Sequence, residues 1–157
     1  PKTQTATCML TDAPGAISCE AYNHGAKKIV AVEKDRITAQ LCKKNLFSLK
    51  DSQLREKDIK IICKDVIPWI KNYIGTRILE KKNLENIKFD YIYIDPPYKK
   101  NIYRTLLKDL FKSYLITKKT IVICEHSKNE IIKDHELWRI EDTRLYGQTK
   151  LTFLIKI

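Results

Sequence analysis

The sequence lacks the paired cysteines and spaced histidines of metal and disulfide sites. Its five cysteines stand at positions 8, 19, 42, 63 and 124, and no two of them form a Cys-x-x-Cys motif. This spacing suggests neither a zinc site nor a disulfide framework, so we expect free thiols in a reducing cytosol. His24, His126 and His135 show no ligand spacing. A hydrolase with a metal at Glu125 and His126 therefore has little support, and we expect no metal.

Long apolar runs are also missing. No stretch approaches the ~20 apolar residues that a membrane span needs. The first residues do not contain the apolar core of a signal peptide. We therefore predict a soluble, cytoplasmic protein with no membrane partner. We also expect a monomer.

Acidic residues are scarce relative to basic ones. Thirty Lys and Arg against nineteen Asp and Glu give a formal net charge of +11 and a pI near 9.4. Such an excess favours a polyanionic partner over an acidic protein surface, and nucleic acid is the natural candidate. The competing interpretation is that the lysines only solvate helix faces.

Apolar runs alternate with amphipathic stretches from about residue 16 onward, without internal repeats. This alternation is typical of an α/β domain with a largely parallel sheet. A chain of 157 residues, 43% of them hydrophobic, suits one domain over residues 1–157. The pattern predicts helices over 16–24, from 35, from 66 and over 103–114, and strands over 29–32, 59–63, 89–94, 120–124, 138–145 and 149–157.

Individual residues predict where some helices begin or end and which side chains are buried. Gly25 suits the left-handed position that follows a helix, and Asp35 can cap the next one. Cys63 and Cys124 each end an apolar strand and are predicted to be buried. The helix that follows Asp35 is predicted to bury an apolar stripe of four residues, Ile37, Leu41, Leu46 and Leu49.

The tetrapeptide Asp95-Pro96-Pro97-Tyr98 follows the apolar run 89–94 and is the most informative motif of the chain. Two prolines cannot continue a ladder, so the strand must stop at Asp95. The Asp95 carboxylate and the Pro96 carbonyl are then acceptors, and the Tyr98 ring can stack on a flat partner. This set suits an exocyclic amino group on a base. The alternative is a strand-to-turn junction with an exposed tyrosine.

Four predicted strands end at or just before an acidic residue: Glu33, Asp65, Asp95 and Glu125. In open α/β sheets ligands bind beyond the carboxyl ends of the strands, so these side chains should line one edge of the sheet. Glu33 could accept both hydroxyls of a ribose, and Asp65 could accept from an adenine amine. Each acid taken alone could equally be a solvated strand end or a helix cap. Together they favour a nucleoside-bearing cofactor.

With these residues the chain resembles the RsmD-like family of RNA methyltransferases. Asp-Pro-Pro-Tyr alone would admit many amino-methyltransferases, whereas two later motifs in the right order narrow the resemblance to this family. The matching segments are residues 15–21, His24-Gly25-Ala26, Val32-Glu33-Lys34-Asp35, residues 89–98, Glu125-His126-Ser127-Lys128 and Tyr146-Gly147-Gln148-Thr149.

The resemblance implies a Rossmann-like class I methyltransferase fold, with a mainly parallel seven-stranded sheet, an antiparallel last strand and helices on both faces. It implies an enzyme that uses S-adenosylmethionine to methylate the N2 amine of a guanine in small-subunit ribosomal RNA. Glu33 would hold the cofactor ribose, and Asp65 and Val66 would border its adenine. The residues implied at the cofactor are Gly15, Glu33, Lys34, Asp65, Val66 and Asp95. Those implied at the guanine are Asp95, Pro96, Pro97 and Tyr98.

One segment departs from the family pattern. Family members carry an Asp-x-x-x-Gly-x-Gly loop after the first strand, where this chain has residues 8–15. Met9 and Ala13 occupy the acidic and first glycine positions, and Gly15 alone matches cleanly. A Cβ at Ala13 and the fixed φ of Pro14 could block a close approach of the backbone to the cofactor. We also expect the basic arm and helix that precede this strand in the family to be mostly missing from the printed sequence, which joins residues 1–6 directly to the loop.

Basic residues near these motifs are candidates for contact with the phosphates of ribosomal RNA or of the small ribosomal subunit. Lys99, Lys100 and Arg104 follow the Asp-Pro-Pro-Tyr turn, while Lys128 and Arg144 are weaker candidates. Two other functions stay open. One is a DNA amino-methyltransferase, which uses a similar acid-Pro-Pro-aromatic turn. The other is a catalytically silent module that binds nucleic acid.

Overall fold

The computed structural model describes residues 6–11, 15–49, 55–74, 88–96, 102–132 and 136–157. They form seven strands and four α-helices, plus a short 3-10 turn at Glu56–Asp58. The strands are β1 Ala6–Thr11, β2 Lys28–Glu33, β3 Ile59–Cys63, β4 Tyr91–Asp95, β5 Ile121–Ser127, β6 Trp138–Tyr146 and β7 Thr149–Lys156. The helices are α1 Ala16–Asn23, α2 Arg36–Phe47, α3 Val66–Lys71 and α4 Ile102–Lys112.

The described strands form one sheet in the order β3-β2-β1-β4-β5-β7-β6. Strands β1 to β5 pair with one another in parallel, whereas β7 runs antiparallel to both β5 and β6. The expected hairpin forms, with Gly147 at φ 60 in its turn. The strand order reverses around β1, which is where open α/β sheets bind their ligands.

Both faces of the sheet carry a core, because successive strand residues point to opposite sides. On β2, Ile29 and Ala31 pack in a cluster that includes Cys42 and Leu46 of α2. Val30 and Val32 belong to the larger cluster, with residues of α3 and α4. Trp138 of β6 also belongs to the larger cluster, and its indole N–H donates to the Leu107 carbonyl at 3.1 Å. Helices therefore pack on both faces, as expected.

Two residues predicted to mark helix ends, Asp35 and Gly25, do so in the structure. The Asp35 carboxylate accepts from the Thr38 amide at 2.7 Å and so caps α2. This bond is the largest of the interactions that lower the pKa of Asp35. Gly25 follows α1 with φ 95, in the left-handed region that glycine tolerates best. Within the described ranges, no helix combines the length and apolar character needed to cross a bilayer.

The predicted apolar stripe of α2 is wrong except at Leu46. Ile37 is 76% exposed and Leu41 is 43% exposed, whereas Leu46 is fully buried together with Ala39 and Cys42. Leu49 lies beyond the helix end and is half-buried. One inward-facing residue, Cys42, lies so close to Gly15 that a Cβ added to the glycine would come within 3.1 Å of it. Small residues therefore occupy part of the inward face of this helix, alongside Leu46.

Two further expectations are corrected at strand ends. Strand β5 does not end before Glu125 but continues to Ser127, because β7 pairs with it as far as Thr149. Its polar residues thus lie inside the strand. Cys63 is exposed rather than buried, while Cys124 is buried as predicted, and burial raises the pKa of its thiol.

Candidate active site at the carboxyl ends of the strands

Three of the predicted acids lie at the same edge of the sheet. Strand β2 ends at Glu33 and β4 ends at Asp95. Asp95 pairs in register with Thr11 of β1, and the preceding residue of β1 pairs with Val32, next to Glu33. Glu33 and Asp95 therefore lie at the same level of the sheet, on the two strands that flank β1. Asp65 comes two residues after the end of β3 and is the N-cap residue of α3.

Glu33 is a buried carboxylate with a fixed orientation. The residue is only 6% exposed, and its Oε1 accepts a hydrogen bond from the Asp35 amide at 2.7 Å. A buried carboxylate is costly unless it is hydrogen-bonded, and this bond meets part of that demand. The two oxygens of a carboxylate at this position are the type of acceptor that suits the two hydroxyls of a ribose.

The other residues predicted at the cofactor surround the ends of β2 and β3. Asp65 is exposed and caps α3, accepting from the Ile67 amide at 3.2 Å. Val66 is half-buried and Lys34 is exposed. The Cys63 thiol donates to the Lys34 carbonyl at 3.6 Å, so the two strand ends are linked.

Gly15 has a packing role that the sequence did not reveal. It precedes α1 with φ 83, a conformation that disfavours a side chain. A Cβ at this position would lie 3.1 Å from both Cα and Sγ of Cys42 on α2. Glycine at this position therefore allows α1 and α2 to approach each other closely. Ala13 and Pro14, in the loop that departs from the family pattern, lie outside the described residues.

Gly15→Ala should destabilise the protein more than Gly25→Ala does. Both glycines have positive φ, so each substitution should cost about 1 kcal/mol for the backbone. A Cβ at Gly25 meets nothing within 4 Å, whereas at Gly15 it meets Cys42 backbone. The Gly15 variant should therefore lose about 1–3 kcal/mol more from overpacking. Urea unfolding of the two variants measures this difference, and equal losses would contradict the packing role.

The Asp-Pro-Pro-Tyr motif is partly described. Asp95 ends β4 as predicted, and Asp95 and Pro96 are both half-buried at the edge of the sheet. The predicted site residues Pro97 and Tyr98, and the basic residues Lys99 and Lys100, lie outside the described residues.

Glu125 is the acid whose environment the sequence did not predict. Its carboxylate accepts a hydrogen bond from the Tyr93 hydroxyl, and its backbone carbonyl accepts one from the Tyr103 hydroxyl. Burial is the main reason that the pKa of each tyrosine is raised. Tyr93 also stands two residues before Asp95, on the same face of β4. That spacing was visible in the sequence, but its partner 32 residues away was not.

The chain matches a known family over most of its length. Residues 12–155 match the model of the family described as Conserved hypothetical protein 95. The chain belongs to this family, the RsmD family. The resemblance drawn from the motifs is thereby confirmed.

Two curated relatives accompany this match. An uncharacterised methylase of Rickettsia prowazekii is 38% identical over 72 residues, which is 46% of this chain and 30% of the relative. The ribosomal RNA small subunit methyltransferase D of Haemophilus influenzae is 24% identical over 133 residues, 85% of this chain and 62% of the relative. The chain spans less than two thirds of the length of either relative.

Solved structures show the same fold. A conserved hypothetical protein of Streptococcus pyogenes has a TM-score of 0.78 at 20% identity, over 98% of this chain and 88% of that one. A candidate methyltransferase complexed with SAH has a TM-score of 0.70 at 14% identity, over 99% of this chain and 46% of that one. The predicted Rossmann-like α/β class is confirmed.

The two motifs that distinguish the RsmD family hold each other in place. The Lys128 amide donates to the Gln148 carbonyl at 2.8 Å, so the end of Glu-His-Ser-Lys binds the Tyr-Gly-Gln-Thr turn. His126 is buried, its Nε2 lies 2.8 Å from the Thr152 hydroxyl, and its Nδ1 lies 2.9 Å from the Ser127 carbonyl. These contacts give His126 a structural role between β5 and β7. Across the described ranges, no group of three or more His, Cys, Asp and Glu side chains is placed to share a metal.

The described basic candidates of this RsmD family member are all exposed. Arg104 lies in the first turn of α4, which follows the Asp-Pro-Pro-Tyr turn, and Lys128 follows β5 directly. Arg144 lies on β6, where it bonds to Asp142 at 2.9 Å and covers the Phe153 ring at 4.9 Å. Arg144 is therefore already engaged within the protein, which makes it the least available of the three for phosphate.

Proposed function

We propose that this protein methylates the exocyclic N2 amine of a guanine in small-subunit ribosomal RNA, with S-adenosylmethionine as the methyl donor. The observation that carries the proposal is the placement of Glu33 and Asp95 on either side of β1, at one edge of the sheet. Family membership and the relative that methylates small-subunit ribosomal RNA support it.

The cofactor side of the proposal is supported by the chemistry of the donor set. Glu33 is buried and its carboxylate is oriented by the Asp35 amide, and a carboxylate at this position is the kind of group that accepts hydrogen bonds from a ribose diol. Lys34, Asp65 and Val66 would border the adenine, and Gly15 would lie near the methionine part. S-adenosylmethionine supplies a methyl group on a sulfonium sulfur. The structural neighbour complexed with SAH has the same fold and is consistent with this cofactor.

On the substrate side, the protein's task is to orient a weak nucleophile. The lone pair of guanine N2 is delocalised into the ring, so acceptors that favour a more tetrahedral nitrogen should help. Asp95 and the Pro96 carbonyl would accept the two amine hydrogens and aim the lone pair in line with the methyl carbon. The new N–C bond forms as the S–C bond breaks, and one amine proton leaves to solvent. Tyr98 would stack on the base once it is unstacked from its neighbours.

The RNA itself would be held by charge. The net charge of +11 favours a polyanion, and Arg104 and Lys128 are exposed candidates for contact with phosphates. Lys99 and Lys100 stay candidates of the same kind. Such contacts position the RNA without reading its sequence, and their binding should weaken as salt rises. Action as a cytoplasmic monomer without a metal also stays a prediction.

Methyl incorporation into three substrates tests the proposal. Purified protein with labelled S-adenosylmethionine is offered small-subunit ribosomal RNA, small ribosomal subunits lacking the modification, and duplex DNA. We expect incorporation into RNA or subunits alone, with mass spectrometry locating the product at guanine N2. Incorporation into DNA would instead support the DNA amino-methyltransferase. Calorimetry that detects no binding of S-adenosylmethionine would support the silent binding module.

A further inference from the structure

Glu125 lies beside the proposed reacting centre, on the neighbouring strand. Ile94 of β4 pairs in register with Cys124 of β5. The next residues along the two parallel strands are Asp95 and Glu125, and such strands lie about 4.8 Å apart. Side-by-side residues of a parallel sheet point to the same face, so both carboxylates belong to one side of the sheet edge.

Tyr93 fixes where the Glu125 carboxylate points. Tyr93 shares a face of β4 with Asp95 and donates its hydroxyl proton to Oε2 of Glu125. Only 8% of Tyr93 is exposed, and burial together with this hydrogen bond raises the pKa of its phenol. The Tyr93 hydroxyl therefore keeps its proton at physiological pH and can donate it to the Glu125 carboxylate.

The backbone of Glu125 is held as well. The Tyr103 hydroxyl of α4 donates to the Glu125 carbonyl, and the Tyr103 ring lies edge-on to His126 at 6.1 Å. Both ends of the residue are therefore oriented by aromatic hydroxyls from two different elements. A carboxylate can accept about four hydrogen bonds, so the bond from Tyr93 leaves capacity for a ligand donor.

The Watson–Crick edge of guanine has a second hydrogen-bond donor, which needs an acceptor besides Asp95 and Pro96. Guanine carries its N2 amine next to the N1–H, so two neighbouring donors face the protein once the base leaves the stack. Asp95 and the Pro96 carbonyl would occupy the amine hydrogens, and a buried N1–H without an acceptor would weaken binding. An adenine presents an acceptor at N1, which would face a carboxylate unfavourably.

We infer that Glu125 accepts the N1–H of the target guanine and thereby selects guanine over bases that lack this proton. The inference rests on the proposed function, because it assigns a specificity role within the same site. Glu125 would determine which base is accepted, whereas Asp95 and Pro96 would act in the methyl transfer itself.

Glu125→Gln tests the inference, because a carboxamide keeps an acceptor for Tyr93 but can also present an N–H to the base. Two RNAs are compared, one with guanine and one with 2,6-diaminopurine at the position mapped as modified. Diaminopurine keeps the 2-amino group and replaces N1–H by an acceptor nitrogen. It also changes the substituent at C6, but that change is the same for both proteins and cancels when their preferences are divided.

The wild-type protein should prefer guanine by roughly 10- to 100-fold in kcat/KM, as expected for a lost hydrogen bond to a charged group. Glu125→Gln should narrow this preference by roughly tenfold or reverse it. A variant that slows on both RNAs by the same factor would overturn the inference and leave Glu125 a purely structural residue. Wild-type protein that methylates both RNAs equally would also overturn it, while the proposed function would stand. Wild-type protein that methylates no guanine would overturn the proposed function together with the inference.

Discussion

Asp95→Ala should lower kcat for methyl transfer by about 100- to 1000-fold or more, because the variant removes a group that acts on the transition state. Asp95 ends β4 at the edge of the sheet and would accept an amine hydrogen of the base. RNA binding should change little, since most of its affinity is expected from contacts with phosphates. Radiolabel incorporation measures the first effect, and fluorescence anisotropy with labelled RNA measures the second.

Glu141→Gln provides the matched control for this variant. Glu141 is an exposed acid on β6 that pairs with Arg139 at 2.7 Å, away from the proposed site. The Glu141→Gln variant should keep wild-type turnover and wild-type RNA affinity.

If the Asp95→Ala variant still methylated RNA, the role proposed for Asp95 would be wrong. If that variant lost RNA binding as well as methylation, the cause would be a folding defect, which circular dichroism would detect.

Glu33→Gln should weaken binding of S-adenosylmethionine by roughly 10- to 100-fold, since hydrogen bonds to a charged acceptor are the stronger ones. Glutamine is preferable to alanine here, because its carbonyl oxygen can still accept from the Asp35 amide, as Oε1 does at 2.7 Å. The fold should therefore persist while one of the two acceptors for the ribose diol is lost. Titration calorimetry measures the dissociation constant.

Glu20→Gln is the control for the cofactor prediction. Glu20 lies on α1, pairs with His24 at 3.5 Å and has a side chain that is 67% exposed. Its substitution should leave the cofactor affinity unchanged. If Glu33→Gln bound S-adenosylmethionine as tightly as the wild type, the ribose would have to be held elsewhere, and the interpretation of the sheet edge would need revision.

Much of the fold follows from local rules that a sequence exposes. Strand β3 occupies the predicted residues, and β4 ends at Asp95 because proline cannot continue a ladder. Asp35 caps α2 through a bond to a residue three positions away, so its role could be inferred from the neighbouring sequence alone. These features depend on a few adjacent residues.

Features that depend on distant partners could not be predicted in the same way. Ile37 is exposed and Cys42 is buried, and Cys42 lies against Gly15, which immediately precedes α1. The extension of β5 through Glu125 depends on pairing with β7, and Glu125 meets Tyr93 across 32 residues of sequence. Periodicity carries no information about such contacts. The candidate site was therefore predicted at Glu33 and Asp95, while the environment of Glu125 was found only in the structure.

The position of β7 has a consequence for how this domain is assembled at the ribosome. Residues 149–156 are the last of the seven strands to leave the ribosome, yet they lie in the interior of the sheet, between β5 and β6. Until they emerge, β5 keeps an unpaired edge and β6 has no neighbour to which it can bond. A nascent chain at that stage presents open strand edges of the kind that promote aggregation. Pairing of β7 with β5 and β6 is thus expected to be the last step in assembling the described sheet.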